Sequence, residues 1–149
     1  MEGVFYLEKV VIHGRGAIAG KASGYAVVCP KSVTGWRGID PKTGIILDFE
    51  NHNKGKSIKD SIFVIPGSKG SNGWSAYFSI TRASGAGPAG MLVTKIDSSS
   101  AVAAVGMAIP VITDFDEEND PCRLINTGDF VEMDSDTGLV TITKRGGII

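Results

Sequence analysis

The segment Phe63 to Trp74, FVIPGSKGSNGW, sets Gly67, Gly70 and Gly73 three residues apart behind a short β-branched and aromatic run. Hydroxyls stand at Ser68, Ser71 and Ser75, and Lys69 lies among them. From Trp74 the period changes: Trp74, Tyr77, Phe78 and Thr81 recur as the stripe of an amphipathic helix. A strand, a Gly/Ser loop and a helix start in that order can bind an anion. The first helical amides have no intrahelical acceptor, and the helix dipole favours negative charge at that end. Glycines let backbone approach a ligand, the serines add donors, and Lys69 adds a full positive charge. The glycine spacing is neither that of a Walker A loop nor that of the dinucleotide fingerprint. An ordinary strand-to-helix turn accounts for the local pattern equally well.

A second segment, Lys31 to Gly44 (KSVTGWRGIDPKTG), sets Trp36 and Arg37 between glycines. Arg37 can grip a carboxylate or phosphate with two parallel donors while Trp36 forms a wall; a lid over the core and a solvated arginine are the plain alternatives. His13 and His52 have no carboxylate partner at a readable spacing and read as structural or exposed. The acidic run Asp114 to Asp120 reads as a solvated loop, because no glycine stands where a calcium loop needs one. Cys29 and Cys122, far apart in sequence, read as two reduced thiols. Three or four soft ligands would be needed for a metal or cluster, so none is expected on this chain.

These residues need elements to position them. Lys9–Gly14 and Gly24–Pro30 are short, valine-rich strands, and Gly14 to Gly24 reads as a glycine-punctuated connection. A Pro–Lys–Thr–Gly turn at 41–44 precedes the apolar run Ile45 to Phe49, and 61–66 is a compact strand. The helix from Trp74 takes Ser71 or Asn72 as its N-cap and Gly85 as its close. Ala89–Ile96 is a buried strand, Ser98 to Ser100 cap a short helix, and Ala108–Thr113 is a strand again. Gly128 to Arg145 closes the chain as a strand, an acidic turn and a second strand, a hairpin. The order predicts an α/β fold, with a small β-sheet or half-barrel flanked by a few helices, in a single domain over residues 1–149.

Composition excludes several classes. Of the 149 residues, 42% are hydrophobic and 21% charged, as in a globular chain, and twenty glycines argue against a helical bundle. A net charge of -1 from mixed charges gives no basic field, so nucleic acid is not an expected partner. No apolar run approaches the ~20 residues of a membrane span, and the first residues carry charges where a signal peptide needs an apolar core. A cytoplasmic location is expected.

Taken together, the two segments resemble the small subunit, or swivel domain, of the aconitase X family of hydro-lyases. TGWRGIDPKTG is similar to that family's Ser-Phe-Trp-Gly-Gly-Val-Asp…Thr-Gly segment, keeping Trp36, Gly38, Asp40 and Gly44. IPGSKGSNGWS resembles its Leu-Pro…Arg/Lys-Gly-Ser…Ser loop, keeping Pro66, Lys69, Gly70, Ser71 and Ser75. SGAGPAGMLV resembles its Gly-x-x-Pro-Ala segment, and INTGDFVEMDSDTGLVTI its closing hairpin.

The resemblance implies a swivelling β/β/α domain with its core at about residues 14–143. It implies the small subunit of a heteromeric enzyme that dehydrates a small hydroxy acid, such as mevalonate 5-phosphate or cis-3-hydroxy-L-proline, and that is inactive alone. The expected partner is an aconitase X-type large subunit carrying an iron–sulfur cluster or iron, with no cofactor held by this chain. Ser71 becomes the candidate catalytic residue. Trp36, Arg37, Gly38, Lys69, Gly70, Asn72, Gly73 and Ser75 become candidates for holding a small carboxylated or phosphorylated substrate. The chain departs from the family's pattern at Thr34, Gly35, Arg37 and Trp74; Arg37 suggests an added acidic group to bind, and Trp74 a filled or apolar pocket wall. The alternative is a non-catalytic anion-binding or regulatory domain of the same fold, and beyond it a structural β-rich interaction module.

Overall fold

The computed structural model describes residues 8–69 and 73–144, and of Gly35 and Trp36 the backbone alone. Four strands run parallel side by side: β3 (Lys21–Val28), β4 (Ile62–Ile65), β5 (Gly90–Val93) and β6 (Val111–Thr113). Their side chains alternate with a period of two. Ala26, Val28, Ile62, Val64, Leu92 and Ile112 enter one core, while Val27, Phe63, Ile65, Met91, Val93 and Val111 enter another. Burial on both faces is why these strands read as unbroken apolar runs rather than alternating ones.

The second core is covered by helices α2 (Trp74–Ser84) and α3 (Ser98–Met107). Ser79 and Gly106 meet where the two helices touch, and a Cβ on Gly106 would collide with the Ser79 hydroxyl. The first core is enclosed mainly by strands, with Phe115, Cys122, Leu124 and Ile125 from the loop and short helix after β6 also packed against it. β7 (Phe130–Asp134) pairs antiparallel with β3 and with β8 (Leu139–Lys144), and β8 pairs with β1 (Glu8–His13). At the other edge β2 (Arg15–Ile18) pairs antiparallel with β6.

The order is β1-β8-β7-β3-β4-β5-β6-β2. Gly14 alone separates β1 from β2, so the two ends of that order are one continuous stretch of chain and the sheet wraps onto itself. The amide of Gly14 donates to the Gly138 carbonyl at 2.9 Å across the junction. Gly16 is required there, since a Cβ on it would collide with the Ser135 carbonyl. The half-barrel expectation is thus sharpened to a closed wrap. The glycine-punctuated stretch Gly14–Gly24, expected as a connection, is instead β2 and the first half of β3: Gly14, Gly16 and Gly24 serve close backbone approach, and Gly20, at φ 131°, serves the turn between the two strands.

Two further expectations change. The N-cap of α3 is Asp97, not one of Ser98 to Ser100. Its carboxylate accepts from the Ser100 amide, and the Ser100 hydroxyl accepts from the Asp97 amide, a capping box. The acidic run is exposed but ordered: Asp116 caps a 3₁₀ turn at Glu117–Asn119, and Asp120 caps α4 (Pro121–Leu124). α2 closes as expected, on Gly85 in the left-handed region at φ 74°. Among the described residues no helix is long and apolar enough to cross a membrane.

Candidate functional site

Parallel strands deliver their loops to one edge, and in open α/β sheets ligands collect at that carboxyl edge. Here the edge carries the loop after β3 (29–34) leading into α1 (Gly35–Gly38), the loop after β4 (66–69), the loop after β5 (94–97) and the loop after β6 (114–116). A pocket of about 170 Å³ opens between the first two and the excursion 48–52. Lys31, His52 and Lys69 line it, as do Asp48 and Glu50. It is a polar cleft of mixed charge, with two lysines available to an anion. A larger groove of about 380 Å³ lies on the outer face of β3, β7 and β8, bordered by Lys21 and Asp134. It is made of strand side chains and lies away from the carboxyl edge of the parallel strands.

The walls of the small pocket are held by specific hydrogen bonds. Ser32 is buried in the left-handed conformation at φ 62°. Its hydroxyl donates to the Gly67 carbonyl at 2.6 Å, tying the loop after β3 to the loop after β4. Its own carbonyl accepts from Asn51 Nδ2 at 3.2 Å. Asn53, wholly buried, donates from Nδ2 to the Val28 carbonyl at 2.6 Å, and its amide donates to Asn51 Oδ1 at 2.8 Å. Asp48 Oδ2 accepts from the Thr34 amide at 3.2 Å and lies 3.3 Å from the Thr34 hydroxyl. A strained, over-determined backbone of this kind is characteristic of ligand sites.

Beneath the pocket lies Cys29, 1% exposed, at the end of β3. Burial pushes its thiol up, against weak hydrogen bonds to Asn51 and Asn53 that pull the other way. Cys122 sits on α4, where the Thr94 hydroxyl donates to Asp120 Oδ1 at 2.9 Å and lies 3.5 Å from the thiol sulfur. Burial pushes that thiol up to about 11, and the nearby Asp120 and Cys29 add to the effect.

The sequence-predicted residues distribute unevenly. Gly70, Ser71 and Asn72 lie outside the described residues. Lys69, directly before them, lines the pocket. Gly73 is the N-cap of α2 and makes no side-chain cap, and its carbonyl accepts from Tyr77 at 3.0 Å. Ser75 lies in the first turn of α2, its carbonyl accepting from Ser79 Oγ. Gly38 is buried and structural: its carbonyl accepts the amides of Leu47 at 2.8 Å and Asp48 at 3.1 Å, which swings Asp48 to the pocket. Arg37, exposed and at φ 61°, lies in the last turn of α1 outside the pocket lining, and Trp36 contributes its backbone to the same short helix.

Trp74 overturns an expectation. It is 1% exposed and forms no pocket wall. Its ring stacks on Phe78 at 4.3 Å, and Nε1 donates to the Val33 carbonyl at 2.7 Å. It fastens the start of α2 to the loop after β3, so an apolar-looking departure is a core anchor with one polar contact. His52, expected to be structural or exposed, is exposed but borders the pocket. Sequence reasoning also passed over Ser32, Asp48, Glu50 and Asn51. The readable signal was a cluster of Asp and Asn immediately after the apolar run Ile45 to Phe49, where a plain exposed loop needs no buried amide.

The fold and its carboxyl-edge pocket define a swivel-type α/β domain. Residues 11–142 match the family model for the aconitase X swivel domain, and the chain belongs to that family. It is 30% identical over 133 residues to the phosphomevalonate dehydratase small subunit of Thermococcus sibiricus, covering 89% of this chain and 98% of that one. The corresponding protein of Pyrococcus furiosus is 32% identical over 137 residues, covering 92% and 98%. Among solved structures, aconitase X of Thermococcus kodakaraensis in its holo-form superposes with a TM-score of 0.81 at 30% identity, covering 91% of this chain and 99% of that one.

Proposed function

We propose that this chain is the small, swivel subunit of a heteromeric hydro-lyase that dehydrates a small hydroxy acid, with mevalonate 5-phosphate the favoured substrate. The observation that carries the reading is the match to dehydratase small subunits over 98% of their length. The polar pocket at the carboxyl edge, with Lys31 and Lys69 on its rim, supports it. On this reading the chain acts as one domain and pairs with an aconitase X-type large subunit.

The thiols of this chain do not suit an iron–sulfur centre. Only two thiols are present, fewer than the three or four soft ligands a cluster needs, and burial raises the cost of forming the thiolate at both Cys29 and Cys122. Among the described residues no group of three or more His, Cys, Asp or Glu is placed to hold a metal ion. A cluster or iron therefore belongs, in this reading, to the large subunit.

What this chain supplies is binding and proton handling. Lys69 and Lys31 offer positive charge to a carboxylate or phosphate, and Ser71 follows Lys69 by two residues in the sequence. Dehydration beside a carboxylate needs a base for the departing proton. A serine is a weak base at its ordinary pKa, so Ser71 acts with the field of Lys69 and the partner's site, or as a ligand to the substrate.

Co-expression with the large subunit tests this reading. The expected result is a complex with dehydratase activity on mevalonate 5-phosphate. Ser71→Ala in that complex cuts turnover by roughly tenfold or more while assembly persists; near-normal turnover removes the role of Ser71. If no partner copurifies and the chain alone binds phosphorylated or carboxylated ligands, it is an anion-binding domain instead.

A further inference from the structure

The loop that carries Lys69 is fixed from outside by one side chain that belongs to neither flanking element. Asp97, at the start of α3, uses its two oxygens separately. Oδ1 accepts from the Ser100 amide at 2.9 Å and from the Ser100 hydroxyl at 2.7 Å, which caps the helix. Oδ2 accepts from the Ser68 amide and the Ser68 hydroxyl, both at 2.9 Å. Partial burial pushes this carboxyl up, but the bonds from Ser100 and Ser68 outweigh it and hold it below its ordinary value.

Three observations show a seat built for that second pair of bonds. A Cβ on Gly67 would lie 3.0 Å from Asp97 Oδ2, a tight approach that would push the carboxylate back by a few tenths of an ångström. The amide of Lys95 donates to the Pro66 carbonyl at 3.2 Å, extending the β4–β5 ladder beneath the turn. The amide of Ile96 donates to Thr113 Oγ1 at 2.9 Å, and Thr113 is wholly buried, so the base under Asp97 is rigid. From the other side the Ser32 hydroxyl holds the Gly67 carbonyl at 2.6 Å. The turn at 67–68 is gripped at both its carbonyl and its amide, and the next residue is Lys69.

We propose that Asp97 is a positioning residue for substrate binding: through Ser68 it sets where Lys69 stands at the pocket. This rests on the reading of the pocket as a substrate site. A helix cap alone needs only Oδ1; the grip on Ser68 is a separate task for the same carboxylate.

Asp97→Asn separates the two tasks, because asparagine is an equally good N-cap while its amide nitrogen cannot accept from Ser68. In the assembled complex the expected result is KM for mevalonate 5-phosphate raised about tenfold with kcat changed less, the pattern of lost binding. Amide exchange of the chain alone should be about tenfold faster at Ser68 and Lys69 and unchanged in α3. Ser68→Ala, which leaves the cap untouched, should shift both in the same direction by less, and the double variant should be no worse than Asp97→Asn. An unchanged KM, or unaltered exchange at Ser68 and Lys69, overturns the proposal. If the asparagine variant loses α3, Ser68→Ala alone decides. If the wild-type complex lacks dehydratase activity, the functional reading fails, and the exchange data still decide whether Asp97 holds the loop.

Discussion

The enclosed core and the carboxyl rim are built on opposite principles. The core inside the wrapped sheet takes Ile12, Val64, Leu92, Ile112, Val131, Val140 and Ile142 from strands all round it, and each is almost wholly buried. Its stability comes from apolar area removed from water, which is indifferent to direction and tolerant of equal-volume exchange. The rim buries polar groups, Ser32, Asn53 and Thr113 among them, and among the described residues no buried side-chain polar atom is left without a partner. Each of those partners is a particular atom at a particular distance. Three non-glycine residues in the left-handed region, Ser32, Arg37 and Asp114, also lie in these edge loops. The core secures the fold, while the rim secures positions.

That contrast can be broken experimentally. Leu92→Ala, at a fully buried core position, should cost about 2–5 kcal/mol in denaturant unfolding while turnover per folded molecule in the complex is retained. Trp74→Phe keeps the stacked ring but leaves the Val33 carbonyl without its donor. It should cost about 1–3 kcal/mol and also raise KM, because the same bond locates the loop after β3.

A smaller effect is read from pH. The folded chain holds the Cys122 proton to about 11, against an ordinary 9.0. The folded state therefore binds the proton more tightly, its advantage is complete below pH 9, and stability falls as pH climbs from 9 to 11. Cys122→Ser should remove that slope, measured as the difference between the two unfolding curves across the window. The smallest stability change belongs to Lys69→Ala, within about 0.5 kcal/mol, yet substrate affinity should drop by roughly tenfold. A Leu92→Ala enzyme that folds but fails to turn over, or a Lys69→Ala chain that unfolds, would end the division between core and rim.

The sequence exposed the core far more fully than the rim. Strands β4, β5 and β6 announce themselves as apolar runs, and the Trp74, Phe78, Thr81 stripe of α2 is buried as its period demands. Strand β2 was hidden because Arg15–Ile18 carries a glycine where strands pass closely, and glycine reads locally as a turn. The rim was legible only in part. Lys69 was found from its neighbours in the loop, but Ser32, Asp48 and Asn51 reach the pocket through contacts 14 to 35 residues apart in sequence, which no local pattern encodes. Asp97 was missed as a cap because three serines beside it are equally good caps, and only the fold shows which residue faces the free amides.

The junction at Gly14 has a consequence for how the molecule is made. β1 precedes every other described strand in the chain, yet its partner is β8, with Glu8 opposite Lys144 at the far end of the described residues. Its continuation β2 pairs with β6, nearly one hundred residues away in sequence, Arg15 opposite Thr113. During synthesis β1 stays unpaired until β8, the last of the described strands, has emerged. Pairings of such separation fold slowly, and an unpaired strand edge invites association with other chains. The late pairing of β1 and β2 is the step at which the nascent chain is most in need of protection.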